Sequence, residues 1–127
     1  MTTSQLLGAL ACLAGGLSVV LGAFGAHVLK DRLEPALLTA YNTAVQYQML
    51  HAVVVLVIVL LARTSESTAL YHAAGTTMLV GILLFSGSLF GLTLLGWRWL
   101  GPITPLGGLM LIAGWAVLLL ALVRTHA

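Results

Sequence analysis

The sequence predicts an all-α membrane protein, a bundle of four transmembrane helices with up-down-up-down topology. Its 127 residues are 61% hydrophobic and 6% charged, whereas soluble domains carry about 25% charged residues. Stretches without Asp, Glu, Lys or Arg cover 1–29, 35–62, 67–97 and 99–123. Because about 20 apolar residues cross the hydrocarbon core as a helix, each stretch accommodates one span. A chain of this length forms one domain, 1–127.

Helices are favoured over membrane strands by the character of these stretches. A membrane strand alternates apolar and polar residues over about 9–11 positions, but the run 53–61 is apolar throughout. Since hydrocarbon offers no hydrogen-bonding partner, a helix that satisfies its own backbone is the stable form. We expect spans near 4–28, 35–62, 69–95 and 104–123. Their short connections make each span antiparallel to the next.

The first span carries small residues along one face, a pattern that lets membrane helices approach closely. These residues are Gly8, Ala11, Cys12, Gly15, Ser18, Gly22, Gly25 and Ala26. A cleaved signal peptide is the competing interpretation, because 23–26 holds small residues near the end of the span. The leader 1–5 has no Lys or Arg, however, and the apolar part exceeds the 7–15 residues of a signal-peptide core. We therefore expect the span to be retained.

The second span begins at Pro35, because proline suits the first turn of a helix. A helix over 35–62 is about 42 Å long, against a hydrocarbon core of roughly 30 Å. We therefore expect 36–43 to lie at the interface, or the helix to tilt. The third span presents a face of mostly small residues, namely Thr77, Gly81, Leu84, Ser88 and Gly91.

The fourth span follows an interfacial segment, since Trp97 and Trp99 belong at the depth that tryptophan prefers. Thr104 followed by Pro105 is typical of a helix N-cap and first helical position. The small face of this span consists of Gly107, Gly114 and Ala121. Three of the five basic residues lie on the membrane face opposite the termini, and two lie on the same face as the termini. Because basic residues favour the cytoplasmic face, this excess slightly favours termini facing away from the cytoplasm.

Polar side chains at membrane depth are the candidate functional residues. Asn42 and Gln46 form one pair on the second span. A second group, on another side of this span, consists of Thr43, Tyr47, Gln48 and His51. Because polar groups in lipid need partners, we expect both groups to point at other helices. With residues from neighbouring spans, the candidate intramembrane cluster is His27, Thr43, Tyr47, Gln48, His51, Ser86 and Ser88.

Two interpretations of this cluster stay open. In the first, the residues form interhelical hydrogen bonds, each worth about 0.6–2 kcal/mol. In the second, Tyr47, Gln48 and His51 bind a solute, a proton or a quinone-like headgroup. A metal site at His27 and His51 lacks the three or four ligands that zinc needs, and the small helix faces leave little room for a haem. His72 and His126 are expected at the interface or in the tail.

The composition argues against several classes of protein. The spans hold no acidic residue for proton-coupled transport and no arginine series for voltage sensing. Ser/His/Asp sets, paired carboxylates, HExxH, CxxC and glycine-rich phosphate loops are lacking. We therefore expect neither an enzyme nor a bound cofactor. Five basic residues divided between two membrane faces make no nucleic-acid footprint.

Four motifs together resemble a known family. They are Gly22-Ala23-Phe24-Gly25-Ala26-His27, Tyr47-Gln48-Met49-Leu50-His51-Ala52, Phe85-Ser86-Gly87-Ser88-Leu89-Phe90 and Ile103-Thr104-Pro105-Leu106-Gly107-Gly108 with Gly114-Trp115. Over nearly its whole length the chain resembles the YgdD-type family of small membrane proteins, a domain of unknown function. The resemblance implies a four-helix protein of the bacterial inner membrane and supplies no activity.

Two functional hypotheses follow. The first is a non-catalytic scaffold or subunit that contacts the lipid bilayer and either a second copy or another membrane protein. The small-residue faces motivate it, because they offer extensive surface for close packing. The second is a small carrier, or a binding site for a polar or lipid-like ligand, at the face formed by Tyr47, Gln48 and His51.

Overall fold

Four long helices make up the protein, and the computed structural model describes residues 1–125. They are α1 (Thr3–His27), α2 (Pro35–Ala62), α3 (Thr68–Leu95) and α4 (Ile103–Thr125), with short 3₁₀ turns at Leu29–Asp31 and Arg98–Leu100. Within the described residues there is no strand. Each helix is long and apolar enough to cross a membrane, so the predicted four-span helical fold is confirmed. His126 lies outside the described residues.

The helix bounds lie within two residues of the expected spans, and the one difference of interest is at the start of α4. That helix begins at Ile103, so the prediction of Thr104 as its N-cap is wrong. The Thr104 hydroxyl lies 2.6 Å from the Ser88 hydroxyl of α3 instead. At the other end of the chain, α1 begins with a capping box between Thr2 and Gln5, which satisfies two backbone donors.

The helices pack in chain order. α1 lies mainly against α2, α2 lies between α1 and α3, and α3 packs along both α2 and α4. α1 and α4 do not pack along each other. An apolar core joins all four helices at the membrane face where α1 and α3 begin. Its buried members include Leu7, Ala11, Val55, Ile58, Tyr71, Met78, Leu118 and Ala121.

The small face of α1 packs against α2, as the sequence predicts. A Cβ added at Gly8 would contact Val59, and one added at Gly22 would contact Val45. The prediction is wrong for Cys12 and Ala26, which are exposed. Cys12 lies at the edge of the small-residue stripe, and Ala26 lies one residue before the end of α1.

The closest helix contact is between α3 and α4. A Cβ built on Gly107 would lie 2.6 Å from the Cα atom of Phe85, and one built on Gly81 would lie 3.0 Å from the backbone nitrogen of Leu111. Real Cβ atoms essentially never come within 3.0 Å of another atom in this way. Glycine at these positions therefore lets the two backbones touch.

α3 ends at Gly96, which adopts the left-handed conformation with φ of 69°. Glycine populates this region without the steric cost that a Cβ imposes. Trp97 and Trp99 follow, with ring centroids 6.1 Å apart in a stacked arrangement. Both rings are exposed, as expected for side chains at the membrane interface.

Candidate functional site

His51 lies buried on α2 and makes two hydrogen bonds. Its Nδ1 atom is 2.8 Å from the carbonyl oxygen of Tyr47, and its Nε2 atom is 3.0 Å from the indole nitrogen of Trp115 on α4. A carbonyl only accepts and an indole only donates. The geometry therefore assigns the neutral tautomer in which Nδ1–H donates to Tyr47 and Nε2 accepts from Trp115.

Gln48 and Ser86 link α2 to its two other neighbours. The side-chain amide of Gln48 donates to the carbonyl of Ala14 on α1 at 2.8 Å. The Ser86 hydroxyl of α3 donates to the carbonyl of Ala44 on α2 at 2.7 Å. Both side chains are buried. Each bond connects two helices at a depth where water is absent, so each one holds the bundle together.

Ser88 bonds both within α3 and across to α4, whereas Thr43 bonds only within α2. The Ser88 hydroxyl is 2.9 Å from the carbonyl of Phe85 and 2.6 Å from the Thr104 hydroxyl of α4. The Thr43 hydroxyl donates to the carbonyl of Thr39, one turn earlier on the same helix. Such bonds within a helix satisfy a hydroxyl at little cost.

Tyr47 and His27 are the least enclosed candidates. The Tyr47 ring is 44% exposed and stacks on Phe85 with centroids 4.7 Å apart. Its hydroxyl makes no hydrogen bond to any described residue. His27 is exposed at the end of α1. His27 follows Gly25, which contacts Tyr41, whereas His51 precedes Ala52, which lies beside Gly15. Because these two levels are ten residues apart on α1, His27 and His51 lie roughly 15 Å apart in depth.

The structure does not bring the seven candidate residues together. Gln48 points at α1, His51 points at α4, and Tyr47 lies at the surface beside Phe85. Among the residues described, no buried side-chain polar atom lacks a partner. In the same part of the chain, no three His, Cys, Asp or Glu side chains are close enough to hold a metal ion.

Asn42 and Gln46 lie on the outward face of α2. Both are exposed, and neither side chain makes a hydrogen bond within residues 1–125. The expectation that this pair points at another helix is therefore wrong for Gln46 within one chain. Asn42 lies at the edge of this face beside α1, because its Oδ1 atom is 3.4 Å from the position of a Cβ built on Gly25. The outward face of α2 consists of Thr39, Asn42, Gln46, Leu50, Val53, Val57 and Leu60, all exposed.

Three polar contacts were not anticipated from the sequence. Trp115 is the partner of His51, the Tyr41 hydroxyl donates to the carbonyl of Leu21 on α1, and Ser4 pairs with His72 at 2.7 Å. A signal existed for Trp115 and Tyr41, because an indole or phenol at membrane depth needs a hydrogen-bond partner. The identity of each partner depends on the packing of helices distant in sequence.

A groove of about 500 Å³ opens between α1 and α3. Its walls are apolar and include Leu6, Leu10, Leu13, Leu17, Leu79 and Leu83, and Gln48 of α2 lies among the lining residues. His51 and Tyr47 do not line it. Of the three residues proposed to share a ligand face, only Gln48 therefore faces this groove.

These features define a class, the four-span helical membrane protein whose internal polar side chains are paired across helices. A family model described as "Protein of unknown function (DUF423)" matches residues 21–108, which is well over half of the chain. The chain belongs to this DUF423/UPF0382 family of membrane proteins. The comparisons name this family rather than a YgdD-type one. They confirm the coarser expectation of a small membrane-protein family of unknown function.

Relatives occur in bacteria and in a yeast. A UPF0382 membrane protein of Staphylococcus epidermidis is 42% identical over 108 residues, which cover 85% of this chain and 87% of the relative. UPF0382 membrane protein YwdK of Bacillus subtilis is also 42% identical, over 85% of this chain and 88% of its own length. UPF0382 membrane protein C1782.12c of Schizosaccharomyces pombe is 40% identical, over 86% and 94%. No solved structure matches.

Proposed function

We propose that this membrane protein is a non-catalytic interaction component that binds another membrane helix through the outward face of α2. One observation carries the proposal. The buried polar side chains Gln48, His51 and Ser86 are bonded inside the chain, whereas the amide of Gln46 is exposed and makes no hydrogen bond within residues 1–125. The internal residues hold the bundle together, and the outward amide of Gln46 is the group that a partner would satisfy.

The depth of Gln46 supports this proposal. Gln46 is about 16 Å from the start of α2 at Pro35 and about 25 Å from Arg63 beyond its other end. If one boundary of the hydrocarbon core lies at Arg63, a core of roughly 30 Å ends a few ångströms beyond Gln46, toward the start of α2. Gln46 then lies inside the hydrocarbon core. An amide in hydrocarbon without a hydrogen bond costs several kcal/mol. A helix partner with polar groups would remove that cost.

The absence of a catalytic role and the location are parts of the same proposal. Within the described residues, the buried polar side chains are neutral and already partnered, so they offer no poised acid, base or nucleophile.

We also propose that the protein lies in the inner membrane of a bacterium, because two of the three relatives described above are bacterial membrane proteins. Helical spans also fit that membrane, since outer-membrane proteins of bacteria are typically barrels.

Photocrosslinking tests the proposal in the native membrane. Val53, 52% exposed on the outward face, is replaced by p-benzoylphenylalanine in the full chain. Irradiation is expected to give a protein adduct that mass spectrometry identifies, and the additional change Gln46→Leu is expected to lower its yield about tenfold. The reason is the loss of interhelical hydrogen bonding worth about 1.4 kcal/mol.

Ile112 provides the matched control. It is 65% exposed on α4 and lies at a similar depth, since its neighbour Leu111 contacts Gly81 near the middle of α3. The photoreactive residue at position 112 is expected to label lipid alone. Lipid adducts alone at both positions would contradict an interaction role for α2.

The groove between α1 and α3 favours a second candidate function, the binding of a lipid-like ligand such as an acyl chain or a quinone. The groove is apolar along its walls and has the Gln48 amide in its lining. This combination suits a ligand with a hydrocarbon tail and a polar group that meets the amide.

Filling the groove tests this second candidate. Leu83, 71% exposed in the groove wall, is replaced by tryptophan, with Leu119→Trp on α4 as the control at an exposed site outside the groove. Native mass spectrometry of the purified protein is expected to show a retained lipid or quinone that Leu83→Trp displaces and Leu119→Trp does not. Equal retention in both variants would contradict a specific site.

A further inference from the structure

Exposed residues lie at every second turn along the outward face of α2. Thr39, Gln46, Val53 and Leu60 are spaced by seven residues, and all four are exposed. This spacing matches the period at which two helices that cross at a small left-handed angle meet. In such seams, a single polar residue fixes the register of the pair. Gln46 occupies that central position here.

The chemistry of this face is self-complementary. A side-chain amide carries both donors and an acceptor, so Gln46 can bond to a second Gln46. No residue of the outward face is charged, and two identical faces therefore meet without like-charge repulsion. We propose that the partner of this face is a second copy of the chain. This inference deepens the proposed function and rests on it.

The position of the Gln46 amide also selects the relative orientation of the two copies. When the copies have the same orientation in the membrane, a two-fold axis along the membrane normal brings like residues together at every level. Inverting one copy about the middle of α2 would instead place Gln46 level with Leu50 and Val53, which are apolar. The amide would then stay unpaired in hydrocarbon. The dimer is therefore parallel, with Gln46 against Gln46 of the second copy.

Disulfide crosslinking in membranes tests this dimer. Cys12 is the only cysteine, so Cys12→Ser gives a background for single-cysteine variants of the full chain. Val53→Cys is expected to form a disulfide-linked dimer on oxidation with copper phenanthroline, because a parallel seam brings the two positions within the 4.4–6.8 Å Cα separation of a disulfide. Ile112→Cys, exposed on α4, is expected to remain monomeric.

Two glutamine variants separate dimer contacts from bundle contacts. Gln46→Leu is expected to raise the dissociation constant in the bilayer about tenfold, measured by resonance energy transfer at varied protein-to-lipid ratios. It leaves the fold intact, since Gln46 makes no bond within residues 1–125. Gln48→Leu removes the hydrogen bond to Ala14 and is expected to lower the free energy of unfolding of the bundle. The dissociation constant of the dimer, measured on the folded protein, is expected to stay unchanged.

The outcomes separate this inference from the function on which it rests. A monomer from Val53→Cys, together with a photoadduct between position 53 and a different protein, would overturn self-association and leave the proposed function standing. A monomer and lipid adducts alone would overturn both. Equal dimer yields from Val53→Cys and Ile112→Cys would show collision without a defined face, and would also overturn the inference.

Discussion

Gly107→Ala is expected to make the bundle less stable than Gly108→Ala by about 3 kcal/mol, the upper end of the usual cost of overpacking. The new Cβ at position 107 would lie 2.6 Å from the Cα atom of Phe85 and 2.7 Å from the carbonyl carbon of Leu84. Because both are backbone atoms, no change of rotamer relieves the contact. α3 and α4 would have to separate, and the contacts along their shared interface would weaken.

Gly108 is the matched control, since it is the next residue on the same turn of α4. A Cβ there would lie 3.8 Å from the nearest atom, in the ring of Phe85, which is an ordinary van der Waals distance. Both changes share the same gain in helix propensity, so their difference isolates the steric effect. Reversible unfolding in mixed micelles measures it. Equal stabilities of the two variants would contradict the close approach of α3 and α4.

The number and ends of the helices could be predicted because the membrane limits the alternatives. A segment such as 35–62 without a charged residue must satisfy its backbone internally, whatever its other residues prefer in water. The small faces were also informative. Gly8, Gly22 and Gly107 lie at helix contacts, since only small residues allow two backbones to approach this closely.

Which face of α2 is buried could not be predicted, because lipid removes the contrast that identifies a core in water. Val53 on the outward face and Val55 in the core have the same side chain and the same hydropathy. Polar residues give no better indication, since Gln46 faces outward while Gln48, two residues later, bonds to α1. The partners of such residues follow from the packing of distant helices, as for His51 and Trp115.

His51→Leu and Trp115→Phe are each expected to destabilise the bundle by about 1–2 kcal/mol, with the double variant less destabilised than their sum by about 1 kcal/mol. His51→Leu leaves the Trp115 indole N–H without its acceptor, and Trp115→Phe leaves the Nε2 atom of His51 without its donor. Either unpaired group lies at membrane depth, where water cannot replace the lost partner. A double-mutant cycle on the free energy of unfolding measures the coupling.

Tyr47→Phe is the control for this cycle, because it removes a hydroxyl that makes no bond within the described chain and keeps the ring stacked on Phe85. Its effect is expected to stay within about 0.5 kcal/mol. Additive effects of His51→Leu and Trp115→Phe would mean that the two side chains do not share a bond in the membrane. The Nε2 atom of His51 would then be available to an outside ligand, and a binding site at His51 would become the better explanation of a histidine at this depth.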